Sequence, residues 1–174
     1  MDLIELVVSF SSEYSSLLAA IMYVFAFIGF MIFSIGVLQI VKLGRRDNGL
    51  ITPVSSIGWK LIGGASLVNL SMWVKVWSGS LWANSNPMGL DGYSGGGSGF
   101  EAALMAALGL MVITGYVTMG RAYVMMSRIG TVQIEARSDL VWSVVSRFVA
   151  GSLLIMSMHL KDVITKSVGN IFVS

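Results

Sequence analysis

From Tyr14 to Val41 the chain carries no charged side chain. A bilayer-crossing helix needs about 20 consecutive, mainly apolar residues, and in hydrocarbon only a helix or a closed barrel satisfies its own backbone groups. The run therefore predicts a membrane helix over residues 17–42. A second uncharged run, "AALMAALGLMVITGYVTMG" from Ala102 to Gly120, predicts another, continuing past Arg121 to Met126. Composition agrees: 11% of residues are charged and 55% hydrophobic, with a mean hydropathy of +0.81, where a soluble domain has roughly a quarter of its residues charged. Strand-like alternation is absent, so the expected class is an all-α membrane protein.

Two further apolar segments are shorter, one between Lys60 and Lys75 and one between Arg147 and Lys161. To cross a bilayer they must extend over residues 57–82 and 140–166, with Lys and Arg stems reaching to the interfaces. The alternative is burial by protein rather than lipid. A soluble helical core would accommodate segments of this size, but the first and third spans are too long and too apolar for one. The expectation is four helices.

These segments also repeat. "GASLVNLSMWVK" at residues 64–75 and "AGSLLIMSMHLK" at residues 150–161 match at an offset of 86, with Ser66 on Ser152, Ser71 on Ser157 and Lys75 on Lys161. The same offset carries Gly29 onto Gly115, Lys42 onto Arg128 and Gly44 onto Gly130. We read this as an internal duplication of two tandem helical hairpins, residues 1–82 and 100–174, joined by the Gly-rich linker 83–99. The central segment "ANSNPMGLDGYSGGGSGFE", which contains that linker, lacks the Lys followed by Ser or Thr that a phosphate-cradling loop requires.

Charge gives an orientation. The first inter-helix loop holds Lys42, Arg45, Arg46 and Lys60; the second holds Arg128, Arg137 and Arg147. Asp2, Glu5, Glu13, Asp91 and Glu101 lie in the N-terminal and central segments, which have no Lys or Arg. By the positive-inside tendency both basic loops face the cytoplasm, and both termini face the other side. The acidic start "MDLIELVVSF" does not resemble a secretory signal and is expected in the mature chain. A net charge of +2 without a basic tail predicts no sequence-specific nucleic-acid binding.

Little chemistry can be assembled. With no cysteine and one histidine, His159, thiol nucleophiles and His-based metal clusters are excluded. His159 lies in a predicted span beside Lys161 and Asp162; it serves as an interfacial polar group or helix contact, or alternatively in proton transfer. Ser66 and Asn69 share a predicted helical face, suited to hydrogen bonding between helices or to lining a pore. Gly29, Gly36, Gly63, Gly64, Gly109, Gly115 and Gly120 permit close approach of helix backbones. Trp59, Trp73, Trp77, Trp82 and Trp142 suit interfacial anchoring. No enzyme is predicted.

An apolar helix, a basic glycine-containing turn such as "KLGRRDNG" and a helix of the form "GWKLIGGASLV" together resemble the hairpin of VirB-type conjugative pilins. Two such hairpins in tandem are similar to the TraQ and IcmC/DotE/DotV group of small membrane proteins of IncI-type conjugation and type IVB secretion, over roughly residues 17–166. Ordinary pilins are shorter. The resemblance implies a non-enzymatic structural subunit of a conjugative or type IV secretion apparatus. It would be a multi-pass protein of the bacterial inner membrane with periplasmic termini, either a channel component or a subunit of an extracellular pilus. Its implied partners are copies of itself, other secretion or conjugation membrane subunits and membrane lipid. No cofactor is implied beyond bound phospholipid, whose phosphates the basic turns would meet; the plain alternative is that these are ordinary loop charges. A small channel or transporter is the competing reading.

Overall fold

The structure, a computed structural model, describes residues 13–45, 53–81 and 99–157. The described residues are helical, without strands, and form five helices: α1 (Tyr14–Gly44), α2 (Val54–Val68), α3 (Leu70–Leu81), α4 (Gly99–Met126) and α5 (Ile134–Ile155). By length and apolar character α1, α4 and α5 can each cross a membrane. The described residues are thus all-α, with three helices suited to spanning a membrane.

The expected helix over residues 57–82 is not continuous. It is interrupted at Asn69, whose backbone leaves the helical region at φ −115°, ψ 44°. The reason is local: a short amide side chain competes for nearby hydrogen-bonding groups and disfavours the helix interior. Here the Asn69 side-chain nitrogen turns back to the Met72 sulfur at 3.2 Å. The interruption also separates the two polar residues expected on one face, since Ser66 is buried and Asn69 exposed. At the fourth span the helix begins at Ile134, earlier than expected, because the connection after α4 closes within a few residues. The part of that span beyond residue 157, and the linker 83–98, lie outside the described residues.

Helices pair through glycine. A Cβ on Gly29 of α1 would stand 2.6 Å from the Leu67 Cβ and 2.7 Å from the Gly64 carbonyl oxygen on α2. Real Cβ atoms do not approach so closely, so the two backbones touch only because both positions lack one. Gly36, two turns on, faces Leu61 and Lys60 of the same helix. In the α4–α5 pair, a Cβ on Gly115 would stand 2.8 Å from the Gly151 carbonyl oxygen and 2.9 Å from the Ile155 nitrogen. The crossings are built alike but not at one offset. Gly29 and Gly115 differ by 86 positions, whereas Gly64 and Gly151 differ by 87, as do the C-caps Asn69 of α2 and Met156 of α5.

Consecutive glycines in α2 explain its place between two helices. Successive residues point about 100° apart on a helix, so Gly64 meets α1 while Gly63 meets α4, where an added Cβ would stand 2.9 Å from the Ser127 Cβ and 3.0 Å from the Tyr123 carbonyl oxygen. Gly120 of α4 receives the ring of Phe25 from α1. Half of the apolar window of α4 is buried, against 11% of that of α1. Helix α4 is thus the centre of the bundle, packed by Tyr116, Met119 and Tyr123, and α1 lies along its outside with Tyr23, Phe27 and Phe30 exposed. Such a face is ordinary where lipid is the solvent.

Trp77, expected as an interfacial anchor, instead ties α3 to the centre. Its ring stacks on Phe148 with centroids 5.3 Å apart, and its indole N–H donates to the Tyr123 hydroxyl at 3.1 Å. Tyr123 meets Phe148 edge-on at 4.7 Å. Trp142 is 72% exposed, in keeping with the anchor role.

Candidate functional site

Several hydroxyls along the spans donate to their own helix. Thr114 donates to the Leu110 carbonyl at 2.8 Å, Thr118 to Thr114 at 2.7 Å and Ser152 to Phe148 at 2.6 Å. This is how a hydroxyl is carried into a medium without water. Tyr14 donates across to the Ala106 carbonyl at 3.1 Å, pinning the start of α1 to α4. The buried side-chain atoms without a partner among the described residues include the hydroxyls of Ser56 and Ser157 and the Nε of Arg137.

Where the end of α4 meets the start of α2, polar groups converge. Helix α4 winds down in tight hydrogen bonds, from the Arg128 amide to the Met125 carbonyl (3.0 Å), Ile129 to Met126 (3.1 Å) and Thr131 to Arg128 (2.9 Å). This compact turn seats on the first turn of α2: Gly130 lies so close to the backbone of Ser55 and Ser56 that any side chain there would displace it. Gly63 makes the second contact, against Ser127. The result is a cleft of about 100 Å³ lined by Ile32 and Ile35 of α1, Lys60 of α2, and Ser127, Arg128 and Thr131 of the turn.

The donors in this cleft are unequal. The Ser127 hydroxyl already donates to the Val124 carbonyl and the Thr131 hydroxyl to the Arg128 carbonyl, each at 2.7 Å. Lys60 spends one of its three N–H donors on the Gln39 side-chain oxygen at 3.0 Å. That bond steadies the half-buried stem and leaves two donors for a ligand. Arg128 is exposed at the rim. Two cations and two isoleucines thus line one cleft.

Of the basic residues singled out in the sequence, Lys60 and Arg128 are brought together. Lys42 and Arg45 are exposed at the end of α1. Arg137 and Arg147 are not loop residues: both lie on α5, and Arg147 bonds the hydroxyl and carbonyl of Ser143 on its own helix. Arg46 and His159 fall outside the described residues. Sequence reasoning missed Gln39, Ser127 and Thr131, and took Gly130 only as a turn glycine. A Gly-Thr pair after an apolar helix suggests a turn, but nothing in it names the helix that the turn will rest on.

Against known proteins, the chain matches no family model, no curated protein and no solved structure. Among the described residues no three His, Asp or Glu side chains group to hold a metal.

Proposed function

We propose that this protein is a non-enzymatic structural subunit of a multiprotein membrane apparatus, of the conjugative or type IV secretion kind, built as two tandem hairpins from an internal duplication. The observation that carries the structural part is the recurrence of one backbone-on-backbone crossing, Gly29 with Gly64 and Gly115 with Gly151. A chain that spends its small residues on rigid helix contacts, and leaves α1 open along its length, has the form of a packing unit. The kind of apparatus rests on the resemblance of the hairpins to pilin-like membrane proteins. In this reading the turns face the cytoplasm of a bacterial inner membrane, and the partners are copies of the chain and other membrane subunits. The second helices pack at an offset of 87, so the match of residues 64–75 with 150–161 at 86 is not the register in which they pack, and the duplication rests on the alike crossings.

The test is to image sheared extracellular material from donor cells expressing a tagged copy, beside fractionated inner membranes. Labelled filaments support a pilin-like polymer subunit; label confined to the inner membrane supports a channel or platform component. Deletion that leaves conjugation and secretion untouched overturns the assignment.

A second reading, a small channel or transporter, is favoured by one feature. The buried Ser157 hydroxyl, without a partner among the described residues, follows directly on the end of α5 at Met156, and transporters place binding sites at helix ends near the midplane. Solute flux in proteoliposomes that is lost in Ser157→Ala would establish it; no flux for any solute tried removes it.

A further inference from the structure

We propose that the open face of α4 and α5 receives a transmembrane helix of a different protein, one that bears a carboxylate within its apolar stretch, with Arg121 and Arg147 as the receiving groups. The inference rests on membrane insertion and not on the apparatus proposed above, and neither arginine lines the cleft at the turns. Depth is the first observation. Phe25 of α1 meets Gly120 of α4, so Arg121 stands at about the height of Phe25. Helix α1 is uncharged from Tyr14 to Val41, and the hydrocarbon layer spans about 20 helical residues. Wherever that layer is laid within the run, it takes in Phe25 and with it Arg121. Antiparallel α5 brings its own arginine to the same depth: Met119 meets Gly151 and Tyr123 meets Phe148, which sets Arg147 within about a turn of Arg121 in height. Direction is the second. Trp77 of α3 meets Tyr123 and Phe148 on one side of the α4–α5 pair. At about 100° per residue, Arg121 lies some 200° around α4 from Tyr123, and Arg147 some 100° around α5 from Phe148, across the line of the Gly151 contact. Both therefore turn to the other side, which no helix among the described residues covers.

The make-up of this face selects its occupant. Arg121 is exposed and bonds nothing among the described residues. Arg147 spends one nitrogen on Ser143 of its own helix, which leaves most of its five N–H donors for a ligand. Cations at this depth are costly in lipid unless paired or facing water. The outer side of α1 presents Tyr23, Phe27 and Phe30 to the bilayer; this side instead presents Thr114, Thr118 and Ser143, small side chains over which another helix can pack closely. The two threonine hydroxyls already donate to their own helix, as contact with protein rather than water requires. Charge complementarity asks for a carboxylate, and a second copy of the chain does not bring one. Among the described residues the acid nearest in height is Asp139, eight positions before Arg147 on α5, about 12 Å along the helix, and a parallel copy carries it at that same height. The partner is thus a helix of another membrane protein with Asp or Glu near its middle.

The experiment reconstitutes the full chain in phosphatidylcholine vesicles with synthetic Leu/Ala transmembrane peptides that carry one central Asp, Lys or Leu. Association is read by energy transfer from a dye on the peptide to one on the chain at Ile134→Cys, an exposed position at the start of α5. The Asp peptide is expected to bind, and the Lys and Leu peptides are not. Arg121→Gln with Arg147→Gln should weaken the Asp peptide about tenfold, whereas Arg121→Lys with Arg147→Lys, which keeps both charges, and Lys42→Gln with Arg45→Gln should bind it like the parent. Equal binding of the three peptides, or Asp-peptide binding unchanged in the double Gln variant, overturns the site. Two further readings test the occupant. With the chain alone in vesicles, Thr118→Cys should stay unlabelled by a water-soluble maleimide; prompt labelling would put water on this face and overturn the helix. Energy transfer between two labelled chains should not depend on the arginines, and its loss in the double Gln variant would make a second copy the occupant instead.

Discussion

Single glycines are the residues on which this molecule turns, and they divide by what a methyl group would meet. At Gly64 a Cβ would stand 2.7 Å from the Phe33 nitrogen and at Gly151 2.6 Å from the Met119 side chain. The first neighbour is backbone and cannot step aside, whereas Met119 is flexible. Gly64→Ala should therefore cost about 1–3 kcal/mol, as overpacking does, and Gly151→Ala less, measured by reversible unfolding in mixed micelles. Gly58 is the control: it lies inside α2 with nothing near it, so Gly58→Ala should stabilise by roughly 0.5–1 kcal/mol. If all three variants behave alike, the crossing is not where α1 and α2 are held. The Trp77–Tyr123 bond makes a second residue-scale prediction. Tyr123→Phe keeps the edge contact with Phe148 but removes the acceptor of the indole N–H, and should cost about 0.5–1.5 kcal/mol. Paired with Trp77→Phe it should show coupling in a double-mutant cycle; strict additivity would mean the bond contributes nothing. The small residues of these contacts were visible in the sequence at Gly29, Gly64 and Gly115. Gly151 was hidden because the ungapped offset sets it against Ala65, and Gly130 because its neighbour, Ser56, belongs to the other hairpin.

At the scale of elements, length and charge were good guides and continuity was not. An uncharged run must be helical in hydrocarbon, so α1 and α4 were legible from residues 14–41 and 102–120 almost to their ends. The break at Asn69 was not. An asparagine in an apolar run is equally suited to bonding a neighbouring helix, and only the observed geometry shows it bonding Met72 and bending its own chain. The functional weight of that bend is to bring α3 back to the centre, where Trp77 reaches Tyr123 and Phe148. Replacing Asn69 with Ala should straighten the helix. Since the chain has no cysteine, spin labels at Ile62→Cys and Val76→Cys, both exposed, report the bend alone. A continuous helix would separate those backbone positions by about 21 Å. The parent should lie below this value and Asn69→Ala should approach it, with loss of the Trp77 contact seen as a fluorescence change. A parent distance already at the straight-helix value would remove the bend.

For the whole molecule the contacts dictate a direction that no single element contains. Helices α1 and α4 run side by side in the same sense, since Tyr14 meets Ala106 near their beginnings and Phe25 meets Gly120 further along. Each is followed by an antiparallel partner, α2 returning along α1 through Gly29 and Gly64, and α5 along α4 through Gly115 and Gly151. The turns after α1 and after α4 therefore lie at one end of the bundle, and the starts of α1 and α4 at the other. The sequence anticipated this only through charge, with Lys42, Arg45, Lys60 and Arg128 at the turn end and Glu13 at the opposite end. The structure reaches the same parallel arrangement by packing, without reference to charge. The two arguments meet in one measurement. Single cysteines at Gly44 and Gln133, both exposed at the turn end, and at Glu13, exposed at the other, should divide by end towards a membrane-impermeant maleimide. Glu13→Cys should label in spheroplasts with an intact inner membrane, and Gly44→Cys and Gln133→Cys only after that membrane is opened, because basic turns stay on the cytoplasmic side. Labelling of Gly44→Cys and Gln133→Cys from opposite sides would contradict the packing itself. Labelling of both turns from outside would keep the packing and reverse the orientation, placing the Lys60–Arg128 cleft against the outer leaflet of the same membrane.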